Sequence, residues 1–102
     1  MDDKVRDYIV ALVYATRDPE RYGLKLKSYI RNGASPRATI GLTLASKANA
    51  FLNGRGYVTP QDVKTVAKEV MCHRIAVTYE ADAERITSEQ IVSTILNEIP
   101  VP

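Results

Sequence analysis

Three helix-start signals divide the chain and set its fold class. Ser35-Pro36, Thr59-Pro60 and Thr87-Ser88-Glu89-Gln90 each stand directly before an apolar pattern with helical spacing. Serine and threonine hydroxyls accept backbone N–H bonds at helix starts, and a proline fits the first helical position. A glutamine three residues after a threonine completes a capping box. We therefore expect a helix directly after each of these signals.

A further helix is predicted at the start of the chain, from Asp2 to Thr16. Its apolar residues recur at the spacing of one helix face. The predicted inward residues are Val5, Tyr8, Ile9, Leu12 and Val13 in this helix, Val63, Val66, Ala67, Val70 and Met71 in the third helix, and Ile91, Val92, Ile95, Leu96 and Ile99 in the last.

The second helix, from Pro36 to about Leu52, is apolar around most of its circumference. One row consists of Ile40, Leu44, Ala48 and Phe51, and the row beside it of Ala38, Leu42, Ala45 and Leu52. So wide an apolar surface predicts that this is the central, most buried helix.

Two segments alternate apolar and polar residues as short strands do. They are residues 24–31 and 74–79, which could pair as a two-stranded β ribbon covered by the helices. The predicted fold is mainly α: one four-helix domain over residues 1–102, with this ribbon beside it.

Composition limits the function classes that fit the chain. With 102 residues it is one domain, and its 14 basic and 12 acidic side chains are interleaved, so that nucleic-acid binding is not indicated. The apolar run from Ile9 to Ala15 is far shorter than the ~20 residues that cross a bilayer. No secretory signal precedes that run, which predicts a cytoplasmic location. A lone cysteine, Cys72, fits a reducing compartment and is interpreted as a core residue.

The sequence lacks the common catalytic and metal-binding motifs. It has no phosphate loop, no nucleophile elbow and no metal-ligand spacing around its single histidine, His73. We interpret His73 as a helix-end residue that complements the negative pole of the third helix. The chain alone is predicted to catalyse nothing and to hold no metal.

Arg37 stands where helix electrostatics do not favour a cation. In the first turn of the second helix it opposes the positive end of the helix dipole, unless an anion lies in front of both. Helix N-termini bind phosphate, and a guanidinium is a strong phosphate partner. These residues by themselves leave two interpretations open, an arginine in solvent and an anion-binding arginine.

Five motifs, in order along nearly the whole chain, resemble one known family. They are Thr16-Arg17, Gly33-Ala34-Ser35-Pro36-Arg37-Ala38, Tyr57-Val58-Thr59-Pro60-Gln61-Asp62-Val63, His73-Arg74-Ile75 and the tail Ile99-Pro100-Val101-Pro102. Together they look like the C-terminal lid domain of MoxR-family AAA+ ATPases. The resemblance favours the anion-binding interpretation of Arg37.

The resemblance implies that this polypeptide is the lid alone, cut from a longer protein. A preceding nucleotide-binding core would carry the phosphate loop, the magnesium-binding acids and the arginine finger, and would use ATP and Mg²⁺ as an ATP hydrolase. Arg37 corresponds to the second-sensor arginine, which reaches the terminal phosphates of ATP, and Gly33, Ser35 and Pro36 would supply the turn and the cap that aim it.

The remaining motif residues receive structural roles from the same resemblance. Thr59, Pro60 and Asp62 would start a helix, and His73 and Arg74 would serve packing or an interface. The implied partners are the protein's own core, the neighbouring subunits of a homo-oligomeric, chaperone-like ring, and proteins with von Willebrand A-type domains.

Two alternatives to the lid domain remain open from the sequence. A stand-alone helical nucleic-acid-binding module is favoured by the slightly basic isoelectric point, but the third helix offers chiefly Lys64, Thr65, Lys68 and Glu69 to a DNA groove. A protein-interaction bundle without nucleotide contact is the other.

Overall fold

The computed structural model describes residues 3–24 and 26–101. Three residues of the predicted segments lie outside this range: Asp2, Lys25 and Pro102. Within them the chain forms five α-helices and one two-stranded sheet. The helices are α1 (Asp3–Arg17), α2 (Ala38–Leu52), α3 (Pro60–Met71), α4 (Tyr79–Ala83) and α5 (Ser88–Glu98), and the strands are β1 (Ile30–Asn32) and β2 (Ala76–Val77). The predicted mainly α fold with a small ribbon is confirmed.

The main hydrophobic core lies where α1, α3 and α5 meet. Its fully buried side chains include Ile9 and Leu12 from α1, Val63 from α3, and Ile91 and Ile95 from α5. These residues occupy the apolar faces that the sequence predicts. In the part of the chain described, no helix is both long and apolar enough to cross a bilayer.

Capping boxes start α3 and α5 where the sequence predicts them. The Thr59 side chain accepts the backbone N–H of Asp62, whose carboxylate accepts the N–H of Thr59. Thr87 and Gln90 make the same reciprocal pair at α5. Because both boxes satisfy N–H groups that the helix itself leaves unpaired, they fix the first turn of each helix.

The predicted start of α2 is wrong by two residues. The helix begins at Ala38, with Arg37 in the N-cap position and no side-chain cap bond. The backbone carbonyl of Ser35 accepts the N–H of Ala38 at 2.8 Å, and that of Pro36 accepts the N–H of Thr39 at 3.1 Å. Ser35 therefore closes a tight turn through its carbonyl instead of capping the helix through its hydroxyl.

The prediction that α2 is the most buried helix is also wrong. Its buried residues are Ala38, Leu42, Ser46 and Ala50. Ile40 and Leu44 are each 62% exposed, and Phe51 is 79% exposed. α2 packs mainly against α3, and its small side chains face inward. Because it packs through one face, its opposite face has no partner among the described residues.

The ribbon forms but is shorter than predicted. β1 and β2 pair antiparallel, with Ile30 opposite Val77 and Asn32 opposite Ala76. Residues 27–29 form a 3₁₀ turn instead of continuing a strand. The second strand stops because the Thr78 hydroxyl accepts the N–H of Ala81 and caps α4, which makes a fifth helix where the sequence analysis expected four.

Candidate functional site

Arg37 lies on the surface at the start of α2. Its side chain is exposed, and its guanidinium makes no hydrogen bond or ion pair with residues 3–24 or 26–101. The helix that follows contains no acidic residue and a single cation, Lys47. The guanidinium is thus free to meet an anion at the positive end of the helix dipole.

The last residues of α1 form hydrogen bonds with the turn that precedes Arg37. The Thr16 hydroxyl accepts the backbone N–H of Ala34 at 2.9 Å and donates to the carbonyl of Val13 at 2.6 Å. The Arg17 guanidinium approaches the carbonyl of Ala34 at 3.5 Å. Thr16 is buried, so its hydrogen bonds are shielded from water. The sequence motif Thr16-Arg17 therefore positions the Gly33–Ala38 motif through direct contacts.

Only a glycine fits at position 33, because the backbone of α1 leaves no space there for a side chain. A Cβ on Gly33 would lie 2.3 Å from the backbone oxygen of Thr16 and 2.9 Å from the Cα of Arg17. Next to it, the buried residues Ala34 and Ala38 pack with Val13 in a small apolar cluster. The close approach of two backbones, together with this cluster, fixes the distance from α1 to the start of α2, and hence the position of Arg37.

A second polar cluster joins the end of α2 to the start of α3. Asp62 is only 1% exposed, and its carboxylate accepts from the Asn49 amide at 2.8 Å, from the Thr59 N–H at 2.8 Å and from the Thr59 hydroxyl at 3.0 Å. It also forms an ion pair with Arg55.

The electrostatics of this cluster favour an ionised Asp62. Burial by itself raises the pKa of the carboxyl group, but the hydrogen bonds from Thr59 and Asn49, together with the positive charge of Arg55, outweigh burial and lower the pKa below its usual value. The cluster anchors the turn between α2 and α3. Asp62 is at a helix start, as the sequence predicts. Its contacts with Asn49 and Arg55 were not predicted, because nothing in the sequence indicates that the turn folds back on α2.

His73 and Arg74 lie at the far end of α3, in a 3₁₀ turn, and both are exposed. Arg74 Nε donates to the carbonyl of Val70 at 3.1 Å. Its Nη2 lies 3.6 Å from the position that a Cβ on Gly41 would take. Arg74 therefore rests against the first turns of α2, one helical turn beyond Arg37.

The arrangement suits anion binding. It combines a free guanidinium at a helix start with a second guanidinium beside the same helix. Among residues 3–24 and 26–101 there is no group of three His, Cys, Asp or Glu side chains that could hold a metal ion. Arg37, Gly33, Ser35 and Pro36 belong to one turn, and Arg74 lies beside Gly41 in the first turn of the helix that follows.

Several known proteins are similar to this chain in sequence. Residues 25–95 match the family model of the AAA lid domain. The chain is 42% identical over 97 residues to chaperone MoxR1 of Mycobacterium tuberculosis, covering 94% of this chain and 26% of that protein. It is 38% identical over 105 residues to the MoxR protein of Paracoccus denitrificans, covering 96% of this chain and 31% of that one.

A solved structure has the same fold. The crystal structure of a candidate ATPase from Cytophaga hutchinsonii superposes with a TM-score of 0.94 at 47% identity, covering 99% of this chain and 31% of that chain. The present chain thus spans about a quarter to a third of the length of these relatives. On the family model, the sequence likeness and the shared fold, the chain belongs to the AAA lid domain family, as a lid of the MoxR type.

Proposed function

We propose that this lid belongs to an AAA+ ATPase in which Arg37 is the second-sensor arginine, reaching the terminal phosphates of ATP held by a nucleotide-binding core. The single observation that carries the proposal is the exposed, unpaired guanidinium of Arg37 at the start of α2. Its turn is anchored by Thr16 and fitted around Gly33, so the side chain projects from a fixed base.

The residues present fit the phosphate part of the cofactor. A helix start with a guanidinium supplies backbone N–H groups and a planar cation, which together suit polyphosphate oxygens. The described residues offer no cluster of ligands for Mg²⁺, so the metal would be held by the core. Mg²⁺ neutralises phosphate charge when bound; Arg37 adds a second positive charge from the lid side.

Arg37 would serve both hydrolysis and motion. Negative charge spreads over the terminal phosphate oxygens as the bond breaks, and a cation placed there lowers the barrier. Once the terminal phosphate has left, Arg37 loses that contact, and the lid is free to change its angle to the core. The lid thereby couples the nucleotide state to movement.

The wider setting follows from the same proposal. The parent protein would be a cytoplasmic ATP hydrolase that works as a chaperone-like homo-oligomeric ring, in which the lid also meets neighbouring subunits. Proteins with von Willebrand A-type domains are its proposed partners. The first check is whether the native gene reads in frame from a phosphate-loop domain into this chain.

The decisive experiment replaces Arg37 in that longer protein. Arg37→Ala should lower ATP turnover by about a hundredfold, the effect of removing one preorganised charge-stabilising donor. The matched control is Arg21→Ala, which removes an exposed arginine from the turn after α1 and should leave turnover unchanged. Unchanged turnover and nucleotide affinity in Arg37→Ala would contradict the proposal.

A further inference from the structure

Arg74 is oriented by one hydrogen bond that uses only one of its donors. Its Nε donates to the backbone carbonyl of Val70 at 3.1 Å. A guanidinium has five N–H donors, so this bond leaves the four on Nη1 and Nη2. Those four have no acceptor among residues 3–24 and 26–101, and the side chain is exposed. The bond to Val70 therefore fixes the guanidinium and leaves its two amino groups available to a ligand.

The absence of a side chain at Gly41 lets Arg74 lie against α2. The position that a Cβ on Gly41 would take is 3.6 Å from Arg74 Nη2 and 3.8 Å from Val70 Cγ1, both ordinary contact distances. A side chain longer than that of alanine would compete with Arg74 for this space. The close packing of α3 on α2 thus carries the guanidinium of Arg74 to the surface of α2.

Gly41 and Arg37 are neighbours on the same side of α2. The N–H of Gly41 donates to the carbonyl of Arg37 at 3.3 Å, which is the hydrogen bond between successive helical turns. Cβ positions four residues apart in a helix are about 5–6 Å from each other, which places Arg74 Nη2 within roughly 10 Å of Arg37 Cβ. Because an arginine side chain extends several ångströms beyond its Cβ, the two guanidinium groups can contact one ligand.

These two guanidinium groups have no counter-charge beside them in the part of the chain that the structure describes. The ion pairs formed there involve neither arginine. α2 contains no acidic residue along its whole length. Two cations at this separation are within a Debye length of each other at physiological salt and repel. A ligand with several negative charges offsets this repulsion better than a singly charged anion does.

We propose that Arg74 is a second nucleotide-contacting arginine of the lid, whose Nη groups bind the same triphosphate that Arg37 reaches; this inference rests on the proposed function. Guanidinium groups bind phosphate oxygens through pairs of parallel N–H bonds, and Arg74 has two amino groups free for such bonds. A triphosphate is long enough and charged enough to engage both arginines. Gly41 has a role in this arrangement, because it leaves the space that Arg74 occupies.

A series of charges at position 74 tests the proposal in the longer protein. Arg74→Lys, Arg74→Gln and Arg74→Glu are compared by their affinity for a non-hydrolysable ATP analogue. Arg74→Gln should weaken binding about tenfold, since hydrogen bonds from a charged group to phosphate are lost. Arg74→Lys keeps the charge without the planar fork and should lose less, whereas Arg74→Glu should lose most. An equal loss in all three variants would show a structural role only and would overturn the proposal.

The matched control is Lys68→Gln, which removes an exposed cation from α3 itself. Lys68 is two residues before Val70 and hence about 200° around the helix from the side that contacts Gly41. Its substitution should leave the affinity for the ATP analogue unchanged. The thermal unfolding midpoint of the 102-residue chain should change little in Arg74→Gln, because the side chain is exposed.

A second measurement uses the 102-residue chain and inorganic tripolyphosphate. The NMR signals of the Nε–H groups of Arg37 and Arg74 should shift together as tripolyphosphate is added, with one apparent dissociation constant. Arg37→Ala should weaken the response at Arg74. The signal of Arg21, in the turn after α1, is the reference for unspecific binding to an exposed arginine. Equal responses at Arg21 and Arg74 would overturn the proposal.

The outcomes separate this inference from the function on which it rests. If Arg37→Ala lowers ATP turnover and Arg74→Gln leaves the affinity for the ATP analogue unchanged, the second-sensor assignment stands and Arg74 is not a nucleotide contact. If the affinity follows the charge at position 74 while Arg37→Ala has no effect on turnover or affinity, Arg74 is supported as a nucleotide contact and the second-sensor assignment of Arg37 fails.

Discussion

At the residue scale, the turn that presents Arg37 depends on the absence of a single methyl group. Gly33 lies against the last turn of α1, where the atoms that a side chain would meet belong to the backbone of Thr16 and Arg17. Backbone atoms in a packed helix cannot move aside as the end of a flexible side chain can. Gly41 is different, because the nearest atoms to its absent Cβ are side-chain atoms of Arg74 and Val70, at 3.6 Å and 3.8 Å.

This difference predicts opposite effects of one substitution. Gly33→Ala should lower the free energy of unfolding by about 1–3 kcal/mol, since the turn must shift away from α1. Gly41→Ala should raise it by about 0.5–1 kcal/mol, because alanine is the better helix former and the space accepts its methyl group. Urea denaturation of the 102-residue chain measures both. Equal midpoints for Gly33→Ala and the unsubstituted chain would show that the close approach is not needed.

Asp62 gives a residue-scale prediction about pH. Its pKa is lowered in the folded chain, so the folded state binds fewer protons than the unfolded state near the ordinary carboxyl pKa of 3.8. The stability that Asp62 contributes should be fully present at neutral pH. It should be lost as the pH falls below about 4 and through the lowered pKa. Chemical denaturation at a series of pH values measures this slope.

The control for this effect is Asp62→Asn, which cannot ionise. It should cost about 1–3 kcal/mol at pH 7, because Arg55 and the two donor groups of Thr59 lose a charged acceptor. Its stability should also depend less on pH in the acid range than that of the unsubstituted chain, because position 62 then carries no titrating group. A variant with the same acid slope would show that other carboxyl groups cause it.

At the element scale, α2 is attached to the domain through its small residues. Leu42 is fully buried, whereas Leu44, on the opposite side of the same helix, is 62% exposed. Small side chains such as Ala38, Ser46 and Ala50 let the α2 backbone come close to its neighbours. The same arrangement leaves Ile40, Leu44 and Phe51 exposed on the other side of α2.

The two leucines should therefore respond differently to truncation. Leu42→Ala should cost about 2–5 kcal/mol, the usual effect of emptying a buried leucine site. Leu44→Ala should change stability by less than about 0.5 kcal/mol, as exposed substitutions usually do. Denaturation of both variants gives the comparison. A cost at Leu44 as large as at Leu42 would mean that the Leu44 side chain is packed within the isolated chain.

At the scale of the whole molecule, the residues that form the hydrophobic core are separate from those of the proposed anion-binding site. The radius of gyration is 13.4 Å, and a compact domain of this length has about 13 Å. The main core does not include Arg37 or the exposed side chains of Ile40, Leu44 and Phe51. Stability and the proposed function thus depend on different residues.

This separation predicts that Arg37→Ala leaves the fold intact. The thermal midpoint of the 102-residue chain should be unchanged or slightly higher, since the substitution removes a cation from the positive end of a helix. Leu12→Ala, in the core, should instead lower it, with a cost of about 2–5 kcal/mol. Calorimetry of the two variants tests both statements, and a clear loss of stability in Arg37→Ala would contradict the first.

The sequence by itself determined the features that depend on a few neighbouring residues. Capping boxes at Thr59 and Thr87 act between groups three residues apart, so the starts of α3 and α5 were predicted correctly. The spacing of apolar residues identified the inward faces of α1 and α5 for the same reason. Arg37 could be singled out because a cation at a helix start is a local anomaly.

Only the tertiary structure decided between residues that compete for the same contacts. The sequence of α2 has apolar side chains around most of its circumference, and packing against α3 selected Leu42 and three small residues for burial. Asn49 and Arg55 meet Asp62 only because the α2–α3 turn folds back, and the ribbon is short because Thr78 caps a helix. Burial and hydrogen bonding between distant residues depend on how whole elements pack, and no short stretch of sequence contains that information.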